Sequence, residues 1–188
     1  STFLRGDNAW AAAAGGAWTL IGSQVATDDA DLSQTGLDST YDTYAIVLSD
    51  ILMAVDAQHL YLRFGDSGGY DSGSTDYFWH LQVGVSASGY GTNAYDGSAD
   101  PQIRVGSNLG NASGEGMGAL FYLSRPGDGT SYPMIHGTWS GLTPSTTMEG
   151  GVLMGIRTAV ITLDRLQIFP SSGNITSGRM SVYGISHS

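Results

Sequence analysis

Three tyrosines stand alone among small polar residues: Tyr70 in the stretch 65–76, GDSGGYDSGSTD, and Tyr90 and Tyr95 in the stretch 86–102, SASGYGTNAYDGSADPQ. Asp71 follows Tyr70, and Asn93 and Asp96 lie beside Tyr95. A phenol ring offers a flat apolar face and a hydroxyl, while Asp and Asn supply adaptable hydrogen bonds. That combination stacks on sugar rings and recognises polar ligands without a bond-making step. The same rings can instead fold back over a core or pack against a neighbouring subunit, and the residues alone leave both roles open. On the recognition reading the ligand-binding set is Tyr70, Asp71, Tyr90, Asn93, Tyr95 and Asp96.

Catalytic patterns are weaker. Serines are plentiful and His59, His80, His136 and His187 are available, but no G-x-S-x-G elbow singles out a nucleophile. A glycosidase needs two carboxylates facing across a sugar, and with seventeen carboxylates some pair meets that spacing by chance. Asp164, the most conspicuous of them, sits beside Arg165, which makes a local ion pair the simpler account. The acidic runs at 28–31 and 65–76 could offer oxygens to calcium but lack the EF-hand spacing. With no cysteine there is no thiolate ligand, thiol nucleophile or disulfide. The expectation is a non-enzymatic domain with no cofactor and no metal.

The elements that must carry these residues are strands. Residues 59–65 place Leu60, Leu62 and Phe64 on one face and His59, Tyr61 and Arg63 on the other, and 77–85 alternate for longer. A period of two is the mark of a half-buried strand. Less regular aromatic and β-branched runs occur at 18–26, 44–51, 117–125, 132–139, 152–156, 159–163, 165–169 and 179–185. No stretch shows a 3.6-residue apolar stripe, and at most a helical turn or two is expected near 28–36. The fold class expected is all-β: an antiparallel, jelly-roll-like sandwich of about nine or ten strands. Long loops are expected at 65–76, 86–102 and 106–116, a length that in ordered domains commonly signals function.

Composition agrees. Twenty-eight glycines and a carboxylate set that is almost all Asp, with only Glu115 and Glu149 as Glu, favour turns over helices. The 188-residue chain carries a net charge of −10, and all seven cations are Arg. Such a surface repels phosphate backbones, so nucleic acid is not an expected partner. No apolar run approaches the ~18 residues that span a bilayer, so membrane insertion is not expected. Nothing splits 17–188, which reads as one domain behind a tether at 1–16.

The tether, FLRGDNAWAAAAGG (3–16), resembles the joint of bacteriophage tail fibres and related virion appendages, where Leu-Arg-Gly-Asp-Gly-x-Trp and small residues precede a display module. Leu4, Arg5, Gly6, Asp7 and Trp10 match, with Asn8 where Gly is usual. Residues 41–51, 60–64 and 165–185 are similar to β-sandwich modules of phage structural and fibre proteins. The resemblance implies a virion-surface module, most simply the receptor-binding tip of a tail fibre facing a host cell-surface glycan or protein. It also implies an attachment to other virion proteins through Phe3, Leu4, Arg5 and Trp10, and a homotrimer. A capsid decoration or head-fibre protein is the alternative, and a polysaccharide depolymerase the third reading.

Overall fold

The structure, a computed structural model, describes residues 17–86 and 91–186, together with the backbone of the short strands 2–4 and 10–12. Thr2–Leu4 (β1) and Trp10–Ala12 (β2) pair with each other, Leu4 opposite Trp10. The chain then runs through Trp18–Val25 (β3), Leu32–Thr35 (β4), Thr43–Met53 (β5), Gln58–Asp66 (β6), Gly69–Tyr70 (β7) and Tyr77–Val85 (β8). It continues with Gly91–Asp100 (β9), Ile103–Leu109 (β10), Met117–Ser124 (β11), Met134–Leu142 (β12), Met148–Arg157 (β13), Arg165–Pro170 (β14) and Ile175–Ile185 (β15). One sheet of eight strands has the order β3-β15-β5-β11-β12-β13-β8-β9. A five-stranded sheet has the order β10-β6-β14-β4, with β7 also on β6. Every pairing is antiparallel, and the two sheets make a β-sandwich.

The alternation read in the sequence sets the two faces. Leu60, Leu62 and Phe64 of β6 and Tyr77, Leu81 and Val83 of β8 are fully buried between the sheets. Ile46 and Leu48 of β5, Phe121 and Leu123 of β11 and Val182 of β15 join them in one continuous core. Tyr77 can be buried because its hydroxyl is satisfied: it accepts from the Phe64 N–H at 2.9 Å and lies 3.1 Å from the Asp71 carbonyl. At the far side a side chain bridges the two sheets, the Ser33 N–H of β4 donating to Gln24 Oε1 of β3 at 2.7 Å.

Several expected loops are strands. Residues 91–100 form β9, the edge strand beside β8, and 103–109 form β10. β9 lacks clean alternation because this edge strand pairs on one side only and buries few side chains, whereas β10, also an edge strand, buries Ile103, Val105 and Leu109, its pattern being broken in the sequence by glycine and polar residues. The stretch 65–76 is shortened by β7, whose Tyr70 pairs with Gly65. Residues 32–35, where a helical turn was the most that the sequence offered, form β4 against β14. Conversely, 159–163 is not a strand. It carries the chain from β13 in the large sheet to β14 in the small one, and a segment changing sheets can pair with neither, although Leu163 plugs the core. The two main sheets thus hold thirteen strands rather than nine or ten.

Candidate functional site

The large sheet reaches one strand past the edge of the small one. β9 therefore overhangs β10, and a cleft of about 490 Å³ opens between them. Its walls come from both sheets. β6 supplies His59 and Tyr61 from the face opposite Leu60 and Leu62, and β10 supplies Arg104, paired in register with Tyr61. β8 and β9 supply Trp79, Tyr95, Asp96 and Asp100, and the tight connection from β9 to β10 supplies Pro101 and Gln102. No serine or threonine is among the lining residues.

The walls are held by their own contacts. Trp79 Nε1–H donates to Asp100 Oδ2 at 2.7 Å, and a Cβ on Gly97 would collide with both groups, so glycine at that position lets them meet. Arg63 donates from Nε to the Pro101 carbonyl at 3.1 Å and from Nη2 to Gln102 Oε1 at 2.7 Å, which leaves the Gln102 amide hydrogens for the cleft. The Arg63 guanidinium lies 4.6 Å from the centre of the Phe169 ring, and Phe169 packs on Tyr61 at 5.8 Å. His59 closes the other side of Tyr61 at 6.3 Å between ring centres.

Two groups define the electrostatics. Arg104 stacks over the Tyr95 ring at 4.6 Å, forms no ion pair among the described residues, and its buried Nε has no hydrogen-bond partner. Burial works against its charge, offset by Tyr61, Tyr95 and Glu149, but guanidinium stays protonated. Burial, and then the Arg104 charge, pull His59 down to about 4, so its imidazole is neutral near pH 7. Because His59 Nδ1 accepts the Asn108 N–H at 3.1 Å, the ring proton is on Nε2. Glu149, buried on β13, is pushed up by burial, with Arg104 acting the other way.

Of the residues singled out in the sequence, Tyr95 and Asp96 line the cleft. Asn93 is exposed on β9, two residues from Tyr95 and on the same side of the strand, but does not line the cleft. Tyr70 lies apart on β7, and Asp71 is engaged with Arg157 Nε at 2.7 Å, while Asp76 holds Nη2 of the same guanidinium at 3.1 Å. Tyr90 and Arg5 lie outside the described residues, as do the side chains of Phe3, Leu4 and Trp10. Tyr61, Trp79 and Arg104 were not singled out, although an aromatic on the polar face of 59–65 was a signal in plain view. Among the described residues no three His, Asp or Glu side chains converge as a metal site. No family model matches the chain, and neither a curated protein nor a solved structure is significantly similar to it, so the cleft is judged on its own chemistry.

Proposed function

We propose that the chain is a non-enzymatic recognition module of a virion surface, the receptor-binding tip of a phage tail fibre, and that the cleft holds a sugar unit of a host cell-surface glycan. One observation carries the reading: Tyr61, Trp79 and Tyr95 line a cleft together with the unpaired guanidinium of Arg104. Aromatic faces suit the apolar faces of a pyranose, and Asp96, Gln102 and His59 Nε2–H offer both acceptors and donors to its hydroxyls. The volume falls in the ~300–1,000 Å³ range of small-ligand pockets. Arg104 makes an anionic sugar, such as a uronate, the best-matched ligand, because among the described residues it forms no ion pair and its Nε has no hydrogen-bond partner, Glu149 acting on it only through its charge.

A binding role also accounts for what the cleft lacks. No serine or threonine lines it, and the Asp100 carboxylate is occupied by the Trp79 indole. Attachment through the N-terminal segment to other virion proteins completes the proposal, on the strength of the sequence resemblance. The test is binding of the labelled chain to a panel of candidate host cells, with and without a chelator and with acidic or neutral monosaccharides as competitors. Selective adsorption, competed by an acidic sugar and lost in Tyr95→Ala while the chain stays folded, is expected, the variant melting somewhat lower because Tyr95 also packs on the core. Adsorption indifferent to Tyr95→Ala, or absent from every strain, would refute the reading and favour the capsid-decoration alternative.

A further inference from the structure

The outer face of the eight-stranded sheet is apolar over an area that a solitary copy of this chain has no use for. Side chains alternate along each strand, so the positions opposite the core in β3, β15, β5, β11, β12, β13 and β8 share one surface. Of eleven large apolar side chains exposed among the described residues, eight lie here, including Trp18, Leu20, Phe78, Met134, Met148 and Met154. Met134, Met148 and Met154 are 50%, 57% and 54% exposed. Aromatic rings make the surface continuous: Trp18 packs on Tyr183 at 5.7 Å and on Tyr122 at 6.4 Å, and Tyr122 on His136 at 5.7 Å. Ala45, paired with both Tyr183 and Tyr122, is small enough to let rings meet across it.

Its size fits an interface. Seven strands at ~4.8 Å spacing and three rows of outward residues at ~6.8 Å give a face of roughly 700 Å², polar positions such as Gln82 and Ser140 included. A specific interface takes about 800 Å² from each partner.

Its charge says which partner. The outward positions of these seven strands carry one cation, Arg179, and one carboxylate, Asp50, the latter at a bulge. A chain of net charge −10 repels its own copy over most of its surface, and this face is where that repulsion is weakest. An apolar surface with one charge of each sign can face its own copy, as a contact between identical copies requires. We propose that this face is an interface between copies of the chain, its occupant being a second copy packed sheet against sheet. The flexible methionines fill the irregular space between the sheets. The cleft stays open in such an assembly, because Tyr95 and Arg104 lie on the other side of the large sheet, and the inference does not rest on what the cleft binds.

The test is sedimentation equilibrium of the whole chain across the micromolar range, for the wild type, the double variant Met134→Asp/Met154→Asp, and Val160→Asp as a control at an exposed apolar residue outside the sheet. Wild type and control should sediment at twice the 19.6 kDa chain mass, the double variant as one copy. Added salt should tighten the association by screening the net charge. A wild type that stays at one chain mass, or a double variant that keeps the wild-type mass, overturns the proposal. Should the double variant fail to fold, Met154→Asp alone is read in the same way.

Discussion

Replacing Arg104 with Met separates a ligand-binding arginine from a structural one, because the two roles predict different balances. The change removes the stack on Tyr95, a cation–π contact of ~0.5–2 kcal/mol. It also removes a buried Nε–H that has no partner, whose desolvation costs the fold ~1–3 kcal/mol. Methionine keeps an unbranched apolar stem over the tyrosine ring. The two terms oppose each other, so the net change in stability should stay within ~1 kcal/mol, about 2–4 °C in melting temperature for a domain of this size. Binding should respond differently. A charge-assisted hydrogen bond to a carboxylate is worth ~1.5–3 kcal/mol, so affinity for an acidic sugar should fall roughly 10- to 100-fold, while a neutral sugar loses little. Calorimetric melting and competition binding with acidic and neutral monosaccharides read both quantities on one sample. A loss of more than ~3 kcal/mol in stability would show that Arg104 is a structural cation. An unchanged affinity for the acidic sugar would end its role as the anion-binding group.

The remaining tests address the scaffold. His59 is held neutral down to about pH 4 when folded but takes up a proton near 6.5 when unfolded, so between those values the unfolded state binds more protons and stability is lost as pH falls. His59→Asn should flatten that part of the stability–pH curve; an identical slope in the variant would contradict the assignment. Glu149 works in the opposite sense, binding its proton earlier in the folded state as pH falls, which is why the comparison with the variant, and not the raw curve, is decisive. Arg157→Met strands the half-buried Asp71 and Asp76 carboxylates and should cost ~1.5–3 kcal/mol by chemical denaturation. A cost below ~1 kcal/mol would mean that solvent screens the pair like a surface salt bridge.

What the sequence determined by itself is local. The period of two in 59–65 and 77–85 assigned Leu60, Leu62, Phe64, Leu81 and Val83 to the core, and the many glycines and aspartates excluded helices, because both signals depend on a residue and its immediate neighbours. Tyr95 and Asp96 were legible as a polar aromatic pair on the same grounds. β9 and β10 were not: an edge strand is defined by which strand lies beside it, and that partner is chosen by the whole sheet. The cleft was hidden for the same reason. Tyr61, Trp79, Tyr95 and Arg104 meet because at this edge the large sheet extends one strand past the small one, and no spacing along the chain records that. That Arg104 forms no ion pair among the described residues is likewise a property of the fold, since a chain with seventeen carboxylates promises one in composition and only packing decides where they go. The outer face shows the division most clearly. The irregular alternation of 117–125 and 132–139 already hinted at apolar residues on both faces, but only the stacking of seven such strands in register turns scattered side chains into one continuous surface.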